Sequence, residues 1–337
     1  MKATRTDVAK LAGVSTATVS NVLNGSNKVK EATVLRVMEA VRQLDYRPDM
    51  IARSMTTKRT MQIGIVLEDV INPYYGELIR EFESAANEKN YFVNICTGLH
   101  KLDNYFDNFI TRRMDGVFVA ALPYKFQEEK LYYLVEQGVK VLTSGNVHAD
   151  FRRVSSIEND YLTAMQDAVS YLVSLGHEQI AYLSGLGRNL TYDLRCTGYL
   201  DMVKKLGLPC GENLLIDSAY PYSTNFQAGY TCALRLLEAG KPFTAVICGN
   251  DLMAMGAMKA FLEKGIRIPE DVSVMGFDGL PLGDYLVPQL STVNQSAQLL
   301  VQRSTDILLD CIERGGEARH ETVPYTICQR ESVRRVE

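Results

Sequence analysis

The chain has 337 residues, more than one hydrophobic core usually serves, so two or three domains are expected. No stretch approaches the ~20 apolar residues of a membrane helix and the N-terminus lacks the apolar centre of a signal peptide, which points to a globular cytoplasmic protein. The net charge of −4 hides an asymmetry: residues 1–60 hold 11 Lys and Arg against 5 Asp and Glu, whereas the rest hold 25 against 35. Basic side chains release the counterions condensed on DNA, so a basic head on an acidic body suits phosphate binding by the head alone. The seven cysteines form no CxxC pair and the four histidines are isolated, so reduced thiols and no metal site are expected.

Residues 4–23, TRTDVAKLAGVSTATVSNVL, read as two short helices around a tight turn at Gly13. Thr4 can cap the first, with Asp7 favoured in its first turn and Val8 and Leu11 as an apolar edge; Ser15 or Thr16 can cap the second, where Val19, Val22 and Leu23 recur at helical spacing. That is a helix-turn-helix layout, whose second helix presents its N-terminal side chains to base edges in the major groove. A plain helical bundle fits two amphipathic helices as well, and the basic charge decides for DNA. Residues 31–44 supply a third helix with Val34, Val37, Met38, Val41 and Leu44 on one face, completing a domain near Tyr46. Arg47-Pro48 breaks that helix, and Asp49 can cap a short one, MIARSMT, with Ile51 and Met55 on its one apolar face. Well under the ~12 residues at which isolated helices become marginal, it should fold only against something else. Residues 56–60 read as a polar, basic linker.

From Met61 apolar runs alternate with amphipathic stretches. Strands are expected at 62–67, 91–96, 116–120, 139–143, 179–183, 214–218, 245–248 and 272–276. Helices are expected at 75–88, 102–113, 127–137, 162–175, 191–206, 225–238 and 252–264. Such alternation means α/β architecture with parallel sheets covered on both faces, and two sheets of four or five strands suit the length. Ligands in open parallel sheets bind beyond the carboxyl ends of the strands. There the sequence places Asp69, Asn72, Tyr74, Tyr75, Ser144, Asn146, Asn250, Asp251 and Asp278, with Arg195 early in a helix after another strand. Aromatic faces with carboxylate, amide and guanidinium groups suit a small polar ligand. Duller roles are open for each: Asp251 as an N-cap, Asp278 as a turn brace, Arg195 paired to a structural carboxylate. Gly185-Leu-Gly187 has the look of a dinucleotide loop, but Leu190 occupies the third glycine position. No nucleophile elbow, P-loop lysine motif or metal-helix motif accompanies the carboxylates, so no enzyme is expected. A sugar-binding transport component and a flavodoxin-like enzyme are the alternatives.

Taken together, TRTDVAKLAGVSTATVSNVLNG, YRPDMIARSM, INPYYGEL, SLGHEQIAYLSG, NDLMAMGAMKA, IPEDVSVMGFDGLPLGDYLVPQLSTV and the terminal RES resemble the lactose/galactose-repressor (LacI/GalR) family of bacterial transcription regulators, from Thr4 to about Val333. The resemblance implies a helix-turn-helix DNA-binding domain over 1–46, a hinge helix and linker over 47–60, and a periplasmic-binding-protein-like effector and dimerisation domain over 61–337. It implies two subdomains, about 61–157 plus 294–321 and about 158–290 plus 325–337, with crossovers near 155–160, 290–294 and 321–325. Thr16, Ala17 and Asn21 match base-reading positions. Many members carry arginine where this chain has Asn21, and asparagine suits adenine or a water-mediated contact instead of guanine. Thr4, Ser15, Thr18 and Ser20 would contact the DNA backbone, and Ile51, Ala52 and Met55 the minor groove, Met55 standing where the family has a wedging leucine. Asp69, Asn72, Tyr74, Tyr75, Asn146, Arg195, Asn250 and Asp278 would hold a small-molecule effector, a sugar or sugar derivative ahead of a purine, with no cofactor and no metal. The implied partners are operator DNA, the effector and a second copy of the chain, with no membrane. Some relatives answer to a phosphorylated partner protein, which nothing in this chain indicates. The chain ends without a leucine heptad tail, so dimers are expected and not tetramers.

Overall fold

The computed structural model of the chain describes residues 3–23, 28–47, 54–55, 57–120, 126–144, 150, 152–187, 193–209, 214–219 and 223–336. The chain divides after Thr60 into two compact units.

In the first unit, helix α1 (Arg5–Ala12) begins on a reciprocal cap. Thr4 Oγ1 accepts the Asp7 N–H at 3.3 Å and Asp7 Oδ2 accepts the Thr4 N–H at 2.9 Å, an arrangement worth ~1 kcal/mol. Gly13 ends the helix at φ 64°, in the left-handed region where a side chain would be strained. Ser15 caps α2 (Thr16–Leu23), its Oγ accepting the Thr18 N–H at 3.1 Å, and α3 (Glu31–Gln43) closes over both. Val8, Val19 and Val37 are fully buried between them, each contributing ~1.5–3 kcal/mol, and Tyr46 seals the cluster. The expected apolar edge on α1 needs correction: Leu11 is 51% exposed, and Ala9 and Ala12 take the inner positions beside Val8. Two alanines leave room for neighbouring helices that a leucine would fill. On α3, Met38 is exposed for a similar reason and Ala40 faces inward. Of the expected hinge, Ser54, Met55 and Thr57 are helical, whereas Asp49, Ile51 and Ala52 lie outside the described residues.

The second unit contains two six-stranded sheets. In the first, β1 (Gln62–Leu67), β2 (Phe92–Thr97), β3 (Gly116–Val119), β4 (Lys140–Thr143) and β5 (Ser155–Asn159) are all parallel. Between them run α4 (Pro73–Glu88), α5 (Leu102–Thr111) and α6 (Glu129–Glu136). In the second sheet, β6 (Ile180–Ser184), β7 (Leu215–Asp217), β8 (Ala245–Cys248), β9 (Ser273–Asp278) and β10 (Ser291–Gln295) are parallel. Its helices are α7 (Tyr161–Ser174), α8 (Leu194–Leu206), α9 (Phe226–Glu238) and α10 (Asp251–Glu263). The central strands β3, β6, β8 and β9 are buried along their whole length, which is why they read as unbroken apolar runs.

The chain crosses between the sheets three times: after Asn159, after Gln295, and at Pro324 between β11 (His320–Val323) and β12 (Tyr325–Cys328). Here the structure corrects the expected count of four or five strands. β5 and β11 pair in the first sheet and β10 and β12, the latter antiparallel, in the second, so the crossover segments are themselves edge or penultimate strands. Polar sequences such as SSIEN hide this, because they lack the apolar run of a central strand although β5 lies between β4 and β11. Ser291–Gln295 belongs wholly to the second sheet, which moves that boundary from 290 to 295. Helix α11 (Ala297–Arg314), absent from the expected alternation, buries Leu300, Val301, Ile307 and Leu308 in the core of the first sheet.

A Cβ at Gly256 would lie 2.0 Å from the Phe226 carbonyl oxygen and one at Gly229 2.0 Å from that of Met253, so α9 and α10 meet backbone to backbone. His177 pins the C-terminal segment, with Nδ1 2.9 Å from Thr244 Oγ1 and Nε2 2.9 Å from the Arg334 carbonyl oxygen. Burial pushes the imidazole pKa below its ordinary value, and the Arg334 carbonyl opposes this. The unfolded chain therefore binds the proton more readily, and the stability tied to neutral His177 is present above the ordinary histidine pKa of ~6.5 and is lost as pH falls below it. Urea unfolding at about pH 7.5 and pH 5 should show a smaller acid destabilisation in His177→Gln than in the parent chain; an equal loss would remove His177 from the account.

Candidate functional site

On α2 successive residues turn by ~100°, which sets Ala17 and Asn21, four apart, on the side opposite the buried Val19 and Val22. Thr16, Ala17 and Asn21, the residues expected to read bases, are all exposed. The hydroxyls expected on the DNA backbone already serve the head. Thr4 Oγ1 donates to Asp7 Oδ2 at 2.6 Å, Ser15 and Thr18 bond each other at 2.9 Å, and Ser20 Oγ accepts from Arg5 at 3.5 Å. Thr4 thus caps α1, and Ser15 and Thr18 hold the first turn of α2. Met55, expected in the minor groove, is 80% exposed.

In the second unit the strand ends converge as expected, with a division of labour the sequence did not reveal. Asp69 Oδ1 accepts the N–H groups of Ile71 at 2.8 Å and Asn72 at 3.0 Å, and Asn72 Oδ1 caps α4 by accepting the Tyr74 N–H at 3.0 Å. These two shape the loop that delivers Tyr74 and Tyr75. Asn250 is the N-cap of α10, its Oδ1 accepting from Met253 N at 2.9 Å and its Nδ2 donating to the Thr224 carbonyl at 2.8 Å. The cap expected of Asp251 thus belongs to Asn250, because the backbone is extended at 250 and already helical at 251. Asp251 is instead fully buried, accepting from Thr292 Oγ1 at 2.6 Å and Leu280 N at 2.7 Å, in space left open by Gly276. Asn146 lies outside the described residues. Ser218 Oγ donates to the Gly185 carbonyl at 2.9 Å, so the glycine pair begins as a turn tied to its neighbours.

What remains is a cluster spanning both sheets. Asn159 Nδ2 donates to Tyr74 Oη at 3.2 Å and to Tyr161 Oη at 3.4 Å, while its Oδ1 is buried with no partner among the described residues. The Arg195 guanidinium lies 4.9 Å from the centre of the Tyr161 ring and 5.8 Å from that of Phe277. Its Nη1 donates to the Gly249 carbonyl at 2.8 Å and its Nε to Asp193 Oδ1 at 3.5 Å. Asp193, buried, is held in turn by Tyr182 at 3.1 Å and Ser184 at 3.0 Å. The structural pairing considered for Arg195 is therefore present, and a face of the guanidinium still covers the aromatic rings. Asp278 ends β9 at φ 120°, a strained backbone for a non-glycine residue, 9% exposed. Its carboxylate takes no hydrogen bond from a described residue. Burial, then the neighbouring Asp251 charge, push its pKa well above the carboxylate range, and Arg195 opposes them. Asn159, Tyr161, Asp193 and Phe277 escaped the sequence reading; only the polar Asn159-Asp160-Tyr161 run after a short strand could have flagged two of them.

A buried carboxylate that takes no hydrogen bond from a described residue, on a strained backbone, costs the fold stability. Its raised pKa means that folding favours the protonated form, so stability is lost as pH rises from the ordinary carboxylate range. Asp278→Asn, which keeps the shape and removes the charge, should therefore unfold at higher urea at about pH 7.5, by ~1–3 kcal/mol, with the gain shrinking towards pH 4. A less stable variant at neutral pH would mean that the carboxylate braces its turn.

Residues 4–49 match the family of bacterial regulatory proteins of the lacI type, and residues 169–333 match a periplasmic binding protein-like domain. The chain is 32% identical to the HTH-type transcriptional repressor PurR of Pasteurella multocida, over 94% of each chain. It is 31% identical to catabolite control protein A of Priestia megaterium, over 88% of each. Among solved structures, the lac repressor dimer bound to operator and the anti-inducer ONPF is 25% identical with a TM-score of 0.82, covering 99% of this chain and 100% of that one. The complex of the regulator CelR with cellobiose is also 25% identical, with a TM-score of 0.74 over 98% of this chain and 99% of that one.

Proposed function

Since this chain belongs to the lacI family of bacterial regulatory proteins and is a ligand-responsive DNA-binding regulator, not an enzyme, we propose that it represses carbohydrate-utilisation genes as a homodimer on a near-palindromic operator. It acts in the cytoplasm, where the operator is. Each head lays α2 in the major groove with Ala17 and Asn21 towards the bases, and the segment around Met55 enters the minor groove between the half-sites. Dimerisation is supported by the lac repressor dimer and by apolar side chains that the described surface leaves uncovered: Phe92 and Ile95 on the edge strand β2, and Tyr285 and Val287 after β9.

The observation that carries the reading is the Tyr74–Asn159–Tyr161–Arg195 cluster, which joins side chains of both sheets where the chain crosses between them. A small molecule, a sugar or sugar derivative ahead of a purine, that inserts among these groups changes the relation of the two sheets. Asn159 and Gln295, at two crossings, both hold buried side-chain amide atoms without partners among the described residues. A ligand or rearrangement that pairs these amides would be favoured by about 1–3 kcal/mol for each group. A ligand that prefers one state then shifts operator affinity by the usual ~1–3 kcal/mol, or ~5- to 150-fold.

Fluorescence anisotropy with DNA from the protein's own promoter region, at fixed salt, tests the DNA half of the proposal. Asn21→Ala should weaken the specific site by ~1–3 kcal/mol and leave random-sequence DNA within roughly twofold. Equal loss on both DNAs would take Asn21 off the bases, and no preference for any promoter fragment would overturn the regulatory reading.

A further inference from the structure

Two leucines from the second sheet cross the seam. Leu280 follows β9 and Leu252 lies in the first turn of α10, yet both pack in the core cluster of the first sheet, which also holds Tyr74, Ala297 and Leu300. Leu280 is 1% exposed, so the present arrangement of the two sheets keeps it from water. It stands two residues after Asp278, whose φ of 120° strains the turn that ends β9. Strain of that kind persists only where the surroundings hold it. Here Asp251 and Thr292 hold it. Thr292 Oγ1, on β10, accepts the Gly279 N–H at 3.3 Å and donates to Asp251 Oδ1 at 2.6 Å, while Asp251 Oδ2 accepts the Leu280 N–H at 2.7 Å. Gly276 leaves the space for this carboxylate, since a Cβ there would lie 2.1 Å from Asp251 Oδ1. Gly279, at φ 78°, lies so close to β10 that a Cβ on it would be 2.4 Å from Asn294 Oδ1. These contacts tie the start of α10, the turn after β9 and β10 into one unit, and β10 leads through the second crossing into α11.

We infer that Asp251 is a positioning residue: with Thr292 it holds the 278–280 turn so that Leu280 is latched into the core of the first sheet, and release of this latch loosens the seam and changes operator affinity. The last step rests on the reading that the relation of the two sheets governs the head. Asp251 acts through hydrogen bonds and Leu280 through burial, so variants separate the two. An asparagine at 251 keeps the shape but has one oxygen where two now accept, and therefore gives up either Thr292 or Leu280. An alanine at 280 keeps those bonds and removes only the side chain that crosses the seam. A group that bears on Asp278 moves the same turn, and two residues of backbone carry that movement to Leu280.

Hydrogen–deuterium exchange of the full chain, read by mass spectrometry, tests the latch. In Leu280→Ala the peptides around Tyr74 and around Asn159 and Tyr161 should exchange roughly fivefold faster or more, while those of the central strands β3 and β8 stay within roughly twofold of the parent. Asp251→Asn and Thr292→Val should give the same pattern, and Leu280→Met and Thr292→Ser, which keep the bulk and the hydroxyl, should return it to the parent's. Adding Asp251→Asn to Leu280→Ala should change seam exchange by less than roughly twofold, because the carboxylate acts through the leucine. Faster exchange spread evenly over both sheets would make Leu280 a plain core residue, and parent-like exchange at the seam would remove the latch; either result overturns the inference. Anisotropy on the promoter fragment at fixed salt reads the second step: Leu280→Ala should shift specific affinity roughly fivefold or more and leave random-sequence DNA within roughly twofold. Unchanged specific affinity beside a loosened seam overturns the coupling. A parent chain that prefers no promoter fragment fails the regulatory reading instead, and the exchange experiment still decides the latch.

Discussion

The amide of Asn159 donates to Tyr74 at 3.2 Å and to Tyr161 at 3.4 Å, one tyrosine packed in the core of the first sheet and the other against that of the second. Those two bonds lie at a point where the chain itself passes from sheet to sheet, so a covalent and a non-covalent link coincide. The remaining crossings, after Gln295 and at Pro324, join the same two sheets through the β10–β12 pair and the β11–β5 pair. Three short connections thus tie the two sheets together.

Electrostatics at the seam divide along the same line. The Arg195–Asp193 pair is self-contained, supported by Tyr182 and Ser184, and sits against the aromatic faces of Tyr161 and Phe277. Asp278 has no such support and stands on a strained backbone. The cation at the seam is thus bonded to Asp193, while Asp278 takes no hydrogen bond from a described residue. In the head the balance is reversed, with a basic unit whose hydroxyl groups are turned to capping so that α2 is held with Asn21 outward.

Much of this was legible in the residues. The cap at Thr4 with Asp7 in the first turn, the tight turn at Gly13 and the apolar strands were readable because each depends on local chemistry or on a repeat of one period. Asp69, Asn72, Asn250 and Asp278 were placed at strand ends by the same alternation. Their jobs were not readable: Asp69 and Asn72 fold a loop, Asn250 caps α10, and Asp278 is left over, because a carboxylate's partners are set by residues distant in sequence. The crossover strands were hidden for a related reason. Ser155–Asn159 and His320–Val323 pair with each other across nearly half the chain, and a short polar segment carries no periodic signature of a partner so far away.

The amino-acid sequence by itself determined a basic helix-turn-helix head, an α/β body with parallel sheets and the set of polar residues that gather at the strand ends, since charge, caps and hydrophobic period act over a few residues. Only the tertiary structure decided that the body has two six-stranded sheets joined at three seams, that Asn159 and Tyr161 belong to the site, and that Arg195 is already matched while Asp278 is not. Burial, desolvation and the pairing of distant charges come into being only when the chain closes on itself, and those are what give the cleft its chemistry.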